Sequence, residues 1–368
     1  MLKLYYNGNI LLMDNSNQAQ AVLVKDGITC ETGIFDALKA KYPQAEKIDL
    51  QEHTLMPAFF DSHSHFMAFA ISLLQPSLKD CKNGEEIKET IISYLKDNNS
   101  NSSSWASFRD FPSLSQNDNI TKTALDSIAP NTPIVLQHQS GHGGMFNSKA
   151  LEIIKQNLSD FSNELNEAEK TGYLHESAYI SALKLIPSPD EKEILNSIKK
   201  AQDIYFSYGI TSFQEGYITS QMMPIYKSSL NSNIIKGDIT AFTPPDDYIS
   251  ALKFSKSVNS PNFNLGGIKI FIDGSPQLKT ALMYRPYIGE SGNFGTCSIS
   301  EEDIKKALNT ACDNKCQILC HANGDKACDM FINTVKSYSL KHPEISDCSP
   351  VIIPVSYTHL YIIRKYFR

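Results

Sequence analysis

No stretch of this chain approaches the roughly 20 consecutive apolar residues that a membrane-spanning helix needs. The N-terminal MLKLYYNGNILLMDNSN likewise holds no run long enough for the core of a secretory signal. These two absences lead to the expectation of a cytoplasmic protein with no membrane partner. Long runs of one charge are also missing: 34 Lys+Arg face 40 Asp+Glu, for a net charge of −6. Binding to phosphate backbones needs clustered cations, so no nucleic-acid partner is expected. Nor is there an excess of Pro, Gly or polar residues, and a composition 41% hydrophobic and 20% charged is that of an ordinary globular chain. The eight cysteines do not suggest a disulfide framework. Cys312, Cys316, Cys320 and Cys328 crowd onto what reads as helix–strand–helix, and no second close pair completes a zinc knuckle beside Cys312 and Cys316. Reduced, mostly buried thiols are expected.

What is present is a rhythm. The 368 residues exceed one average domain, and a β/α barrel of roughly 250 residues plus a smaller domain would fill them. Residues 1–56 alternate short apolar runs with turn signals. Asn7-Gly8 and Asp26-Gly27 there suggest hairpins in a small β-domain. MPAFFDSHSHF then reads as an apolar strand ending abruptly in polar residues. Residues 67–190 are less regular, with the Asn/Ser-rich 96–105 and a buried-strand candidate at 133–139, and read as an insertion that covers a site. From 190 the pattern is plain. A helix near 190–207 precedes strands at 210–216, 237–242 and 266–275. Helices at 301–315 and 325–338 then lead into strands at 317–325 and 350–355. Alternation at this spacing argues for parallel βαβ units. With AFFDSH counted first, six strands of an eight-stranded TIM-type barrel are readable, each ending where a barrel places its chemistry.

His63 and His65 stand two apart at a strand end, so both imidazoles project to one side. Two imidazoles on one face make a chelating pair, although nine histidines make a chance pair at this spacing possible. Here the chain resembles a known family. MPAFFDSHSHF is similar to the segment that opens the barrel in the amidohydrolase superfamily. SGHGGMFNSKAL (140–151), GITSFQEG (209–216), IKIFIDGSPQLKTALMYRPY (268–287) and CHANGDKACDMFI (320–332) resemble the amidohydrolase-3 (YtcJ-like) branch in the same order. The resemblance spans essentially residues 1–353.

Several residues take roles from that resemblance. Lys269 lies in the apolar strand GGIKIFIDG. On composition alone it reads as a lysine reaching out from a strand end, since burying an unpaired ammonium is expensive. The resemblance implies instead a carbamate, formed with CO2, that bridges metal ions; a low-dielectric setting would lower the amine pKa and favour the neutral nucleophile. His321, otherwise a core histidine, matches a metal-ligand position. His142 sits in a Gly-rich turn whose flexible backbone would let a substrate approach, and the resemblance implies that it lines the pocket. Glu215 ends a strand as either a buried ion-pair partner or a substrate contact. Asp273 either orients a ligand or is an ordinary turn aspartate. Asn147 and Asp325 read as helix caps. His53, His138 and His175 take no role.

The resemblance then breaks. Pro354 stands where a sixth-strand histidine ligand is expected, and the tail 354–368, His359 included, matches nothing in the family. Strands seven and eight, with the aspartate that serves relatives as general base, are not read, so a C-terminally truncated chain prone to aggregation is expected. The domains expected are 1–56, an incomplete small β-domain, and 57–353, a metal-dependent hydrolase barrel with the insertion 67–190. The resemblance implies one or two divalent metals, zinc first for a nitrogen-rich shell with manganese or iron also fitting, held by His63, His65, Lys269 and His321. It implies hydrolysis of a non-peptide C–N bond, amide or formamide-like, by metal-activated water on a small-molecule substrate. His142, Glu215 and Asp273 are the candidate substrate contacts, and a homodimer is a family expectation only. Two alternatives stand: an inactive fragment that binds metal weakly, and a hydrolase of ester, lactone or phosphoester bonds.

Overall fold

The structure, a computed structural model, describes residues 1–13, 18–97, 105–112, 120–258 and 260–353. Pro354, His359 and the rest of the tail lie outside them, as does most of the Asn/Ser-rich stretch. The chain divides into two compact units, Met1–Asp61 with Tyr205–Ser212, and Ser62–Ile204 with Phe213–Arg368.

The first unit is built on strands β1 (Leu2–Leu11), β2 (Gln18–Lys25), β3 (Ile28–Gly33), β4 (Glu46–Asp49) and β5 (Thr54–Leu55). Their order is β3-β2-β1-β4, with β5 also on β1. Asp26 (φ 52°) and Gly27 (φ 86°) form a two-residue link with Lys25 paired to Ile28. Positive φ at both central positions suits the twist of the flanking strands, so this pair turns a hairpin as expected. Asn7-Gly8 does not. It lies inside β1, where Asn7 has φ 57° and the register against β2 shifts between Tyr6 and Ile10. A Cβ on Gly8 would sit 2.3 Å from the His53 carbonyl, so the glycine serves close approach at a bulge. The region is not purely β: a helix, Phe35–Lys41, contributes Leu38 to a core with Leu4, Ala21, Leu23 and Ala45. Strand β6 (Phe59–Asp61) ends this unit's first segment, and Phe59 N–H donates to the Gly209 carbonyl at 2.8 Å.

In the second unit, residues of the irregular region form a separate four-stranded sheet. Its strands are β7 (Ala106–Phe111), β8 (Ile134–His138), β9 (Gly143–Phe146) and β10 (Tyr173–His175), in order β10-β9-β8-β7. β7 and β8 are parallel and the other pairs antiparallel. Asn147 caps the helix Ser148–Asn157, its side chain accepting from Ala150 N–H.

The remaining strands are β11 (Ile210–Glu215), β12 (Asp238–Thr243), β13 (Phe263–Phe271), β14 (Gln317–His321) and β15 (Val351–Ile353). With β6 they form a six-stranded sheet in order β15-β14-β13-β12-β11-β6, and β12 through β15 pair in parallel. This is an α/β, incomplete TIM-like arrangement, with helices Glu191–Ser207, Met223–Asn231, Tyr248–Ser257, Glu301–Asn314 and Asp325–Ser339 between the strands. Ser300 and Asp303 start the fourth of these helices with a reciprocal capping box. Asp325 is the first residue of the last helix rather than its cap; Gly324 takes the N-cap, and Asp325 accepts from Tyr284 N–H at 2.9 Å. Alternation sorts β13 and β14 by face. Ile268, Ile270, Ile272, Ile318 and Cys320 pack with Ile304, Leu308, Ala327 and Phe331 of the helices. Lys269, Phe271, Leu319 and His321 therefore share the opposite face. All eight cysteines are free; Cys316, Cys320, Cys328 and Cys348 are buried, whereas Cys30 and Cys297 are exposed. Among the described residues no helix is long and apolar enough to cross a membrane.

Candidate active site

His63 and His65 lie between β6 and the helix Phe66–Ser72, of which His65 is the N-cap. Their rings stand 5.5 Å apart between centroids and nearly perpendicular. His63 Nδ1 is 3.3 Å from Gln214 Oε1, and His65 Nδ1 is 3.9 Å from Glu215 Oε1, both partners at the end of β11. Gly216 follows them because a Cβ there would lie 2.9 Å from the His65 ring. Burial, followed by the neighbouring bases His63, Lys269 and His321, pushes the His65 pKa down to about 4.

Lys269 is 1% exposed, and its Nζ has no hydrogen-bond partner among the described residues. Among the described residues it forms no ion pair with a carboxylate. The ring of Phe271 lies 5.2 Å away. Burial drops its pKa to about 8. The expected cost of an interior lysine is thus present without a neutralising partner.

His321 pairs in register with Phe271, the two rings 5.3 Å apart. Its Nε2 is 3.2 Å from the Gly274 carbonyl and 3.0 Å from Asn323 Nδ2. Nε2 thus has both an acceptor, the Gly274 carbonyl, and a donor, the Asn323 amide, within reach, and the tautomer that donates Nε2–H to Gly274 leaves the Nδ1 lone pair free. Burial pushes its pKa down to about 4; the Gly274 bond opposes this, and Lys269, His142 and His63 add to it. His65, Lys269 and His321 therefore feel one another electrostatically. Each imidazole is held in the neutral form that metal ligation requires. Among the described residues no group of three His, Cys, Asp or Glu side chains is arranged as a ready metal cage. Lysine is the fourth member of the expected set, and its orphaned amine is the feature that best fits a carbamate-held divalent metal.

The three residues expected to touch substrate have different surroundings. Glu215 is 1% exposed and accepts from Met67 N–H, Tyr217 N–H and the Tyr226 hydroxyl. Burial outweighs these bonds and raises its pKa to about 7. Asp273 accepts from Leu282 N–H (3.0 Å), Asn323 N–H (2.9 Å) and Gly324 N–H (2.7 Å), with His321 Nε2 3.8 Å away. Both carboxylates are occupied by protein donors, one beside each of two expected metal ligands. His142 precedes β9 in a turn that is not loose. A Cβ on Gly143 would meet His175 Nδ1 at 2.9 Å, and one on Gly144 would meet the Leu136 carbonyl at 2.8 Å, so these glycines allow tight strand packing rather than flexibility. The His142 ring lies 5.9 Å from that of His321, and its Nδ1 is 3.2 Å from Glu176 Oε2. Glu176, Gln214, Asn323 and Thr280 were not singled out from the sequence, and no local spacing marks them.

Parallel strands with imidazoles, a buried lysine and carboxyl groups toward their C-terminal ends, where a barrel places its chemistry, define the class: a TIM-like α/β protein. The model of the amidohydrolase family matches residues 46–351. The chain belongs to this family, in its amidohydrolase-3 branch. It is 24% identical over 363 residues to YtcJ of Bacillus subtilis (strain 168), which carries the name of an amidohydrolase; the match covers 93% of this chain and 66% of YtcJ. The N-substituted formamide deformylase of Arthrobacter pascens is 24% identical over 294 residues, covering 73% of this chain and 53% of its own length. The crystal structure of an uncharacterized metal-dependent hydrolase from Pyrococcus furiosus superposes with a TM-score of 0.69 at 22% identity. That match covers 92% of this chain and 71% of the other, and it speaks for the fold. The chain thus spans about half to two thirds of the two curated relatives.

Proposed function

We propose that this protein is a metal-dependent hydrolase acting on a non-peptide C–N bond of a small molecule, an amide or a formamide. The observation that carries the reading is Lys269: a buried amine with a lowered pKa and no partner, beside histidines kept neutral. Family membership and the names borne by YtcJ and the formamide deformylase support the choice of bond.

His63, His65 and His321 would hold the metal through imidazole nitrogens, with Lys269 contributing as a CO2-derived carbamate. Zinc is the first choice for such a nitrogen-rich set. When bound, the metal supplies Lewis acidity toward a carbonyl oxygen and toward water. The chain's own residues do the rest. Glu215 anchors the start of the Phe66–Ser72 helix through Met67 N–H and so fixes where His65 stands. Asp273 ties the loops at Leu282 and Asn323–Gly324 together next to His321. Both are positioning residues in this scheme, and His142 is the group left to meet substrate.

The test is metal analysis of the full chain combined with a panel of N-acyl amines, formamides, esters and lactones. Bound metal with turnover of the amides or formamides, both lost in Lys269→Ala, is the expected result. Metal content unchanged in Lys269→Ala, with no carbamate in native mass spectra, would falsify the ligand assignment. Turnover of esters alone would reject the bond assignment.

A further inference from the structure

His142 stands between β8 and β9, and its backbone carbonyl accepts from Glu176 N–H at 2.9 Å. The Glu176 side chain returns the contact: Oε2 lies 3.2 Å from His142 Nδ1, and Oε1 accepts the Thr280 hydroxyl at 2.5 Å. One carboxylate thereby joins the turn before β9, the residue after β10 and the loop after β13. Glu176 does this from φ 46°, a left-handed conformation that is costly for a residue with a side chain. Burial alone would raise its pKa, yet the bonds from His142 and Thr280 outweigh burial and hold it below the ordinary value. It is a carboxylate anion at neutral pH. An anionic acceptor at Nδ1 keeps the imidazole proton there and leaves Nε2 with a lone pair. The His142 ring is only partly exposed, lies beside the His321 ring, and has no hydrogen-bond partner at Nε2 among the described residues.

We propose that Glu176 is a positioning residue that fixes His142 in its Nδ1–H tautomer, so that Nε2 accepts a hydrogen bond from a substrate N–H. The site then selects secondary amides or formamides over N,N-disubstituted ones and over esters, which have no such donor. The substrate part rests on the hydrolase reading above, whereas the tautomer part does not. A site built to accept an N–H leaves a desolvated acceptor unpaired when the donor is missing, and that discriminates more strongly than shape alone.

The experiment uses the full chain with 15N-labelled histidine near pH 8, with His142 assigned by comparison with His142→Asn. In the wild type the His142 proton is expected on Nδ1. In Glu176→Gly, which suits the backbone at φ 46° while removing the carboxylate, the ring should shift toward the Nε2–H form. Glu176→Gln, which keeps the size and loses the charge, is read in the same way if the glycine variant does not fold. A wild-type His142 protonated on Nε2, or a tautomer unchanged in the folded variant, overturns the positioning role. In parallel, kcat/KM is compared for N-butylformamide and N-butyl-N-methylformamide. The wild type should favour the N–H substrate by about tenfold or more, and Glu176→Gly should lose that preference. A ratio near one in the wild type overturns the selectivity. A protein that cleaves nothing in the panel refutes the hydrolase reading, while the ring-nitrogen result still decides the tautomer.

Discussion

Replacing Lys269 with methionine should stabilise the metal-free protein, which is the opposite of what removing an active-site residue's contacts usually does. The lysine is 1% exposed and its Nζ has no hydrogen-bond partner among the described residues, so the native state bears the cost of a buried ammonium offset by little more than the Phe271 ring. A pKa lowered from 10.5 to about 8 by burial sets the size of that cost. At about 1.4 kcal/mol per pKa unit it comes to about 3 kcal/mol. Below pH 8 the amine is charged in both the folded and unfolded states, and the penalty is present in full. As pH rises from 8 to 10.5 the folded protein releases its proton before the unfolded chain does, and the penalty disappears. Methionine fills similar space without a charge. Lys269→Met should therefore gain up to about 3 kcal/mol at pH 7, and its advantage should shrink toward zero above pH 10. Urea unfolding, followed by the fluorescence of the single tryptophan, Trp105, measures both, provided metal and bicarbonate are kept out. With both present the order should invert, because a ligand that binds the native state at about 1,000 times its Kd adds about 4.1 kcal/mol to the wild type alone. A variant less stable than the wild type at pH 7 in metal-free buffer would refute the reasoning, since it would mean that the amine has a favourable partner.

Three further outcomes follow from the geometry. Asp273→Ala leaves the N–H groups of Leu282, Asn323 and Gly324 without their acceptor, and unfolding by urea should show a loss of about 3 kcal/mol or more; a loss under 1 kcal/mol would remove it as a positioning residue. Gly324→Ala places a Cβ 1.9 Å from the Leu282 carbonyl oxygen, so a thermal melt should show clear destabilisation, about 2 kcal/mol or more. His321, a base whose pKa is depressed from 6.5 to about 4 in the folded state, contributes stability that is present above pH 6.5 and lost as pH falls toward 4, about 3 kcal/mol over that window. Glu215, raised from 4.5 to about 7, acts oppositely, its contribution fading as pH rises through that range, so the difference between wild type and His321→Gln is the quantity to follow by chemical denaturation in metal-free buffer.

The parts of this protein that were legible in its sequence are those encoded locally. Strands 210–215, 238–243 and 317–321 are short apolar runs that stop at polar residues, and the helices between them carry their own start signals, as Ser300 and Asp303 show. The strand at 266–275 was placed a few residues late, because Phe263–Leu265 carry no sharp boundary before Gly266-Gly267. Dipeptide signals misled where backbone crowding, not turning, demanded glycine. Asn7-Gly8 has the composition of a hairpin turn but sits at a bulge, and Gly143-Gly144 belongs to a buried strand. The polar network could not be read at all. Glu176 meets Thr280 across 104 positions, and Asp273 meets Gly324 across 51, with nothing in the intervening pattern to announce either.

Those long-range contacts bear on how the site's charges are arranged. Glu215 and Asp273 could each have neutralised a nearby base, yet their oxygens are turned toward backbone amides and the Tyr226 hydroxyl. Glu215 stays 3.9 Å from His65, and Asp273 stays 3.8 Å from His321. The bases are thus held in place by carboxyl groups that do not fully pair with them. Two imidazoles depressed by burial and, to a lesser degree, by the nearby amine, together with an amine depressed by burial, form an unstable set as long as the amine carries a proton. Converting the amine to the proposed carbamate would reverse its sign, and the same crowding would then favour a shared cation. An arrangement serving only the stability of the fold would place an apolar side chain at 269, and the methionine substitution separates these two possibilities directly.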